Sequence, residues 1–389
     1  MVVYINGLMT DDTKHKGCGL DRAWVESCEV HPFELAVSGF SGSGKTTLLE
    51  RLVPALAPLR IGFLKSDAHR VGMDREGKDT FRLSAAGCSE VGIRSQEMSA
   101  HLVHGPLELR EWKSRLSECD AVFLEGFRDS KIPKLLVLDE AGEAWRNLLE
   151  GRFHAVEGLV YAGDAPDSTL PSFHRDDIAG IAEFVRSLWA RRIPKVRGLV
   201  LSGGESRRMG EDKATLAYRD KSQGSWLCDL MLEMDLDPLV SRAPGQNPPE
   251  GVESSRILSD RFLGYGPLGG ILTALETDPT AAWLVVGCDL PFVDRTVIET
   301  LLNSRDPFRN ATVFLDSDAR FPEPMLSLWE PKSRLRAFQF LAMGYRCPRK
   351  VLINSRTNPL PSPGGRILFN ANTPVERESA LRDISRSST

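Results

Sequence analysis

The chain has 389 residues, a length that excludes a single ordinary core and favours two domains. Hydrophobic residues make up 41% and the formal net charge is -4, which excludes a globally basic surface for nucleic acid. The seven scattered cysteines form no CxxC pair, and no stretch approaches the apolar length of a membrane span. We therefore expect a cytoplasmic protein without disulfides, signal peptide or transmembrane segment.

Residues 1 to 32 differ in pattern from the rest of the chain and are interpreted as an extension of unknown role. This segment contains four zinc-type ligands, but their spacing matches no established zinc site, so a polar extension is the favoured interpretation. The four residues are His15, Cys18, Cys28 and His31.

From residue 33 the sequence alternates apolar runs with helical patterns, which is typical of an α/β domain with a mainly parallel sheet. Strands are predicted at 33–38, 60–65, 121–124, 134–138 and 158–162. Helices are predicted at 45–56 and 176–189, the latter with apolar residues at helical spacing. A basic, proline-containing stretch at 190–195 is interpreted as a linker, so the first domain is predicted over 33–192.

A glycine-rich segment follows the first predicted strand: Gly-Phe-Ser-Gly-Ser-Gly-Lys-Thr at 39–46 matches the P-loop pattern in full. Its glycines let backbone N–H groups surround phosphate oxygens, and the next helix presents its positive N-terminus to the same charge. Lys45 is predicted to reach the β- and γ-phosphates, and Thr46 to ligate Mg²⁺. The predicted nucleotide-binding set is Gly39, Gly42, Ser43, Gly44, Lys45, Thr46 and Thr47.

A P-loop also needs a carboxylate that holds the water shell of the metal ion, and two acids follow predicted strands. Glu125 stands at the end of strand 121–124, where a Walker B acid is expected, and is the predicted metal residue. Asp67 is a second candidate, although a loop Asp is often only a turn residue. Basic residues that could contact phosphate or a partner, without an assigned role, are His69, Arg70, His174 and Arg175.

The alternation restarts after the linker, with predicted strands at 197–201, 238–241, 283–287, 311–315 and 366–369. Residues 193–389 are therefore predicted to be a second α/β domain, with a disordered tail at 385–389. The expected fold is two doubly wound domains, the first P-loop NTPase-like and the second Rossmann-like.

A second glycine-rich segment, Leu-Ser-Gly-Gly-Glu-Ser-Arg-Arg-Met-Gly-Glu-Asp-Lys at 201–213, is neither a P-loop nor a dinucleotide fingerprint. Gly203 and Gly204 allow the backbone to approach a triphosphate closely. Arg208 and Lys213 bring two cations to the same loop, which suits stabilisation of phosphate charge during nucleotidyl transfer. We predict that both cations are catalytic.

The metal ligand of this second site is predicted from strand ends. Asp289 follows the apolar run at 283–287, at the carboxyl edge where ligands bind in open α/β sheets. A Mg²⁺ ion on Asp289 would bridge phosphate oxygens. Asp260, ahead of a glycine-rich turn at 264–270, is a further candidate for contact with the nucleotide or metal shell, with a turn-initiating Asp as the alternative.

Over roughly residues 33 to 190 the chain resembles the MobB family, the small GTP-binding adaptors of molybdenum cofactor biosynthesis. The P-loop carries the resemblance together with the segments at 65–70, 74–80, 124–128, 133–134 and 173–177. Ser66 stands where the family usually has His. The resemblance implies GTP binding with weak hydrolysis and a homodimer formed through this domain. It also implies molybdenum insertion proteins and recipient molybdoenzymes as partners.

Over about 197 to 376 the chain is similar to the MobA family, the molybdenum cofactor guanylyltransferases. The shared motifs lie at 201–213, 266–271, 287–292 and 369–374. By position, the resemblance implies a GTP site at Leu201, Ser202, Gly203, Gly204, Lys213, Asp260 and Asp289. It assigns Mg²⁺ to Asp289 and the cofactor side to Asn370 and Asn372. Ser202 replaces the commoner Ala, and no counterpart of a family Asn is found around 241–243.

Together the resemblances imply a fused chain that transfers GMP from GTP to the phosphate of molybdopterin, with Mg²⁺ as cofactor and no nucleic acid or membrane partner. Three alternatives stay open: a cytidylyltransferase for the same cofactor, a sugar-phosphate nucleotidyltransferase, and a GTP-dependent adaptor with an inactive transferase domain. The Gly203–Gly204 pair and Asp212 with Lys213 favour the guanine enzyme. The P-loop partner argues against a sugar substrate, and intact Lys213 and Asp289 argue against inactivity.

Overall fold

The structure is a computed structural model that describes residues 31–66, 74–105, 107, 109–202 and 215–387. The first α/β unit contains eight of the described strands: β1 (Glu34–Ser38), β2 (Ile61–Lys65), β3 (Glu90–Arg94), β4 (Ser99–Val103), β5 (Ala121–Glu125), β6 (Lys134–Val137), β7 (Val156–Tyr161) and β8 (Ser172–His174). Its described helices are α1 (Lys45–Ala55), α2 (Asp79–Ala85), α3 (Leu109–Leu116), α4 (Glu143–Leu149) and α5 (Ile178–Ala190).

Six strands of this unit form a fully parallel sheet in the order β2-β5-β1-β6-β7-β8. The central strand β1 is buried at every position, because helices cover both faces of a parallel sheet. On one face α1 and α5 pack Leu52 and Val185 against the strands, and on the other α3 contributes Trp112 and Leu116. The layering confirms the predicted α/β class and brings the carboxyl ends of β1 and β5 side by side.

The second unit contains β9 (Val196–Leu201), β10 (Leu239–Arg242), β11 (Ile257–Ser259), β12 (Ala282–Gly287), β13 (Ala311–Leu315), β14 (Pro322–Trp329) and β15 (Thr357–Leu360). Its described helices are α6 (Gln223–Leu232), α7 (Pro267–Thr277), α8 (Arg295–Asn303), α9 (Ser333–Ala342), α10 (Pro348–Ile353) and α11 (Pro374–Ser387). Among the helices of the described ranges, none combines the length and apolar character needed to cross a bilayer.

The second sheet has the strand order β11-β10-β9-β12-β14-β13-β15. All neighbours are parallel except β14, which runs antiparallel to β12 and β13. Helix α7 lies very close to this sheet, since a Cβ on Gly270 would stand 2.6 Å from Ser241 Oγ. The glycines of the Gly-Pro-Leu-Gly-Gly motif at 266–270 therefore serve close helix–sheet packing, with Pro267 in the first turn of α7.

Two sequence predictions in this unit were wrong. The strand predicted at 366–369 is a turn, closed by a hydrogen bond from Phe369 N to Arg366 O at 2.9 Å. The Arg366 guanidinium lies over the rings of Phe369 and Phe292, so these apolar residues pack locally and are not in the sheet. The tail predicted to be disordered from 385 continues α11 as far as Ser387, which is where the described chain ends.

Candidate functional site

The P-loop follows β1 and opens onto α1, and its path depends on glycines. Gly39, Gly42 and Gly44 have φ of 148°, 78° and 92°, a region that favours glycine. A Cβ on Gly39 would lie 2.5 Å from the carbonyl oxygen of Val137 on β6, so the loop passes too close to the sheet for any side chain there. Gly44 is the N-cap of α1, which directs the first-turn N–H groups of the helix toward the loop.

The predicted lysine, threonine and glutamate of the P-loop site lie together. Lys45 Nζ donates to the Phe40 carbonyl oxygen at 2.7 Å, which curls the lysine back over the loop. Thr46 Oγ1 donates to Glu125 Oε2 at 3.2 Å, and Lys65 Nζ lies 3.1 Å from Glu125 Oε1. Burial lowers the pKa of Lys45, and the nearby Glu125 carboxylate offsets part of that effect. A hydroxyl beside a carboxylate is a donor set that suits Mg²⁺.

A cleft flanks the P-loop on the side of α5. Its lining includes Thr47, Arg51 and Arg175. Arg175 Nη2 donates to the Ser43 carbonyl oxygen at 2.9 Å, and so fixes the loop from the side. Arg51 pairs with Asp176 at 2.7 Å and holds the pKa of that carboxyl below its usual value. Arg175, which the sequence left without a role, therefore supports the loop directly, while Asp176 is tied to α1 through Arg51.

Sequence reasoning missed two basic residues of this site. Lys65, at the end of β2, reaches Glu125 only because β2 pairs with β5. The Arg128 guanidinium lies 5.3 Å from the Phe40 ring and 4.9 Å from the Phe153 ring, and its Nη2 donates to Asn147 Oδ1 at 3.0 Å. Arg128 could have been suspected from the sequence, because it follows the predicted metal residue Glu125 by three positions.

At the carboxyl edge of the second sheet, two successive hydrogen bonds connect the ends of three neighbouring strands, β9, β10 and β11. Ser202 Oγ donates to the Ser241 carbonyl oxygen at 2.6 Å, and Ser241 Oγ donates to Asp260 Oδ1 at 2.6 Å. Burial raises the pKa of Asp260, while the Ser241 hydrogen bond acts in the opposite direction. Arg242 is buried beside these hydrogen bonds and donates to the Asn247 carbonyl oxygen at 2.9 Å. Asp260 and Ser202 therefore lie at one edge, and Asp260 follows β11, a strand that the sequence did not predict.

Asp289 lies just beyond β12, at the same edge. Cys288 N donates to the Leu201 carbonyl oxygen at 3.0 Å, which ties the aspartate to the end of β9. Ala371 N donates to the Asp289 carbonyl oxygen at 2.8 Å, so the segment with Asn370 and Asn372 lies against it. Asn372 N donates to Glu376 Oε2 at 2.8 Å, which fixes the segment at the start of α11.

Further residues of this edge were not predicted. Glu323 is buried at the start of β14, and burial raises the pKa of its carboxyl, with a further contribution from the charge of Asp289. Its Oε2 accepts from Arg349 Nη2 at 3.0 Å. Tyr218 is buried at the same site, and burial raises the pKa of its hydroxyl to about 12. Asp289 follows β12 and Glu323 lies in the adjacent strand β14, and carboxylates at one edge of a sheet suit a hard divalent cation such as Mg²⁺.

Several predicted site residues lie outside the described ranges, so their roles stay predictions: Asp67, His69, Arg70, Gly203, Gly204, Arg208 and Lys213. The same holds for His15, Cys18 and Cys28. His31 is described, and both its ring nitrogens have protein partners. Within the described ranges, no group of three or more His, Cys, Asp or Glu side chains is arranged to hold a metal ion.

The fold and the residues at the carboxyl edges of the two sheets define a chain of two nucleotide-binding α/β domains. The first has a P-loop, and the second has a Rossmann-like sheet of the transferase type. The model of the family "Molybdopterin guanine dinucleotide synthesis protein B", MobB, matches residues 34–155, and that of the "MobA-like NTP transferase domain" matches 198–357. The chain belongs to the MobB family in its first half and to the MobA-like NTP transferases in its second half.

Three relatives illustrate the relationship. The molybdopterin-guanine dinucleotide biosynthesis adapter protein of Escherichia coli is 34% identical over 39% of this chain and 90% of its own length. A probable molybdenum cofactor guanylyltransferase of Mycobacterium avium is 34% identical over 47% of this chain and 93% of its own. A molybdenum cofactor biosynthesis bifunctional protein of Synechocystis is 35% identical over 40% of this chain, and the match spans 45% of that relative's length.

Proposed function

We propose that the second domain transfers GMP from GTP to the terminal phosphate of molybdopterin, which gives the guanine dinucleotide cofactor and pyrophosphate. The observation that carries this proposal is the position of Asp289. It lies at the carboxyl edge of the transferase sheet, beside Glu323 and against the segment that contains Asn370 and Asn372. A relative that covers most of this domain is named a molybdenum cofactor guanylyltransferase.

In the proposed reaction a phosphate oxygen of molybdopterin attacks the α-phosphorus of GTP. A P–O bond forms there, and the bond from the α-phosphorus to the β-bridging oxygen breaks, so that pyrophosphate leaves with the electron pair. The substrate supplies the nucleophile, so the protein contributes positioning and charge stabilisation. Asp289 and Glu323 would hold Mg²⁺, which when bound neutralises charge on the phosphates. Arg208 and Lys213 are proposed to stabilise the same charge from the glycine-rich loop.

On this proposal the first domain binds GTP at its P-loop and helps to deliver or receive the cofactor. Lys45 would contact the β- and γ-phosphates, and Thr46 with Glu125 would hold a second Mg²⁺ ion through the contacts described above. We further propose a cytoplasmic protein that forms a homodimer through this domain. Molybdenum insertion proteins and recipient molybdoenzymes are its proposed partners.

The test is dinucleotide formation by the purified chain with molybdopterin, Mg²⁺ and either GTP or CTP. We expect guanine dinucleotide and pyrophosphate from GTP, loss of both in Asp289→Ala and a reduced rate in Lys45→Ala. Asp318→Ala is a matched control, because that aspartate is 64% exposed in a surface turn. Product from CTP alone would overturn the base assignment. Absence of product with both nucleotides, with GTP still bound at the P-loop, would make the chain an adaptor.

A further inference from the structure

The two domains contact each other through a buried charged cluster centred on Asp120, the residue before β5. Its carboxylate has no solvent exposure and accepts a hydrogen bond from Arg60 N at 2.7 Å within its own domain. From the transferase domain, Arg309 Nη1 lies 3.2 Å and Arg356 Nη1 lies 3.1 Å from Asp120 Oδ1. Three donors therefore surround a buried acid, and two of them belong to the other domain. Such a group is satisfied only while the domains stay together.

A buried lysine adds a second link across the same contact. Lys332 is 7% exposed, and its Nζ donates to the Cys119 carbonyl oxygen of the first domain and to the Phe308 carbonyl oxygen of the second, both at 2.8 Å. Burial lowers the pKa of Lys332 to about 8, and the nearby Asp120 offsets part of that effect. A lysine placed in this way loses much of its hydrogen bonding if the domains separate.

An aromatic contact and the linker complete the interface. The Phe308 ring lies 4.6 Å from that of Phe33 and 6.4 Å from that of Trp189, both in the first domain. Arg305 Nη1 donates to the Pro194 carbonyl oxygen at 2.8 Å, which holds the linker against the transferase domain. Apolar packing, charge and the linker therefore restrain the same contact.

All of these contacts come from the amino edges of the two sheets. Phe33 and Asp120 precede β1 and β5, while the loop of 308–310 and Arg356 precede β13 and β15, which are parallel to each other. Lys332 follows β14, the antiparallel strand, and so reaches the same edge. The P-loop and Asp289 stand at the opposite, carboxyl edges. Strands β1 and β9 have five and six residues, so each site lies about 15–20 Å along its own sheet from the amino edge, at roughly 3.3 Å per residue.

We propose that the chain is one rigid body with its domains back to back, so that ligand passes from a P-loop site to a transferase site between molecules and not within one. The exchange rests on the proposed function, in which the P-loop domain assists the transferase domain. The rigid arrangement rests on the contacts alone. Two experiments on the full chain test the two parts separately.

The first experiment is differential scanning calorimetry. We expect one cooperative unfolding transition for the wild type and two for Asp120→Ala, because that variant leaves Arg309 and Arg356 facing a cavity. Arg356→Ala, at the rim, keeps the Asp120–Arg309 pair and is expected to lower the transition temperature with less separation of the domains. The exposed Arg320→Ala is the matched control and should resemble wild type. Two transitions in the wild type, or no change in either interface variant, would overturn the rigid arrangement.

The second experiment mixes two variants of the chain, each of which has lost one of its two sites. Lys45→Ala lacks the P-loop lysine and Asp289→Ala lacks the transferase carboxylate, so neither chain has both sites. With exchange between molecules, the mixture should form dinucleotide faster than Lys45→Ala alone at the same concentration. A rate equal to that of Lys45→Ala alone would overturn exchange between molecules. A wild-type rate for unmixed Lys45→Ala would overturn it together with the proposed role of the P-loop domain, and calorimetry would still decide the arrangement.

Discussion

The amino and carboxyl edges of the two sheets contain similar residues and use them differently. At the amino edges Asp120, Lys332 and His31 are buried and satisfied by protein groups, which come from both domains for Asp120 and Lys332 and from the first domain for His31. At the carboxyl edges Glu125 and Glu323 each have one basic partner, Lys65 and Arg349, and also lie near a further oxygen ligand, the Thr46 hydroxyl and the Asp289 carboxylate. A buried charge that is matched by protein groups holds a structure together. A buried acid next to another acid is suited to a cation that arrives with a ligand.

The largest expected effect is a difference in activity between variants at the two carboxyl edges. Asp289→Asn should lower dinucleotide turnover by about a hundredfold or more, because it removes the charge that would hold the metal ion. Glu125→Gln should weaken nucleotide binding at the P-loop and leave the turnover of the transferase site much closer to wild type. Steady-state kinetics of both variants, with separate titration of the P-loop by GTP, measure the contrast. Equal losses of turnover would show that the two edges act as one site.

A smaller effect is expected where backbone geometry, and not charge, shapes the P-loop. Gly39→Ala would place a Cβ 2.5 Å from the Val137 carbonyl oxygen at a φ of 148°, a strain of about 1–3 kcal/mol. Gly42→Ala has no atom within 4 Å of its Cβ and carries only the positive φ, which costs about 1–2 kcal/mol. Urea unfolding and GTP titration should show the larger loss for Gly39→Ala. Equal losses would mean that the loop can move away from β6.

The sequence was sufficient for the features that depend on local spacing. The P-loop, Glu125 at the end of β5 and Asp289 at the end of β12 follow from glycine spacing and from acids placed after apolar runs. Lys65 and Glu323 could not be found in this way, because strand pairing alone brings them to Glu125 and to the neighbourhood of Asp289. These contacts depend on sheet order, which a single sequence does not encode locally.

The wrong strand at 366–369 has a related cause. Its apolar residues suit a buried strand, but the chain there lies beyond the last strand of the sheet, and Arg366 packs on the two aromatic rings next to it. Likewise, the contact between the amino edges depends on residues that are distant in sequence, such as Asp120 and Arg309. Both are charged residues next to strands, and residues of this type are usually exposed, so the sequence did not indicate that they would be buried.

At the amino edge, His31 should make stability depend on pH. Phe33 N donates to its Nδ1 and its Nε2 donates to the Cys119 carbonyl oxygen, so the ring is held neutral. Burial lowers its pKa to about 3, with Lys332 contributing, while the unfolded chain takes up the proton near 6.5. The unfolded state therefore binds more protons between these values, and the free energy of unfolding falls as the pH falls. The slope from this group approaches about 1.4 kcal/mol per pH unit.

Urea unfolding between pH 7 and 5 measures this slope, before most carboxylates titrate. His31→Asn should lower the number of protons taken up on unfolding by about one and so flatten the slope, whatever its effect on stability at pH 7. The exposed His154→Asn is the matched control and should keep the wild-type slope. An unchanged slope in His31→Asn would show that the ring is accessible to protons in the folded chain.

The smallest expected effect concerns Arg128, which supports the P-loop from outside the nucleotide site. Its planar guanidinium lies over the rings of Phe40 and Phe153 and donates to Asn147, a combination that an ammonium group cannot reproduce. Arg128→Lys should cost about 0.5–1 kcal/mol and so weaken GTP binding at the P-loop about two- to fivefold. With GTP in large excess the turnover should stay near wild type, because a P-loop site weakened two- to fivefold is still filled. Arg82→Lys, at an arginine that is 74% exposed, controls for the loss of a guanidinium alone. If both variants bound GTP equally well, the position of Phe40 would be set by the glycines of the loop and not by its stacking partner.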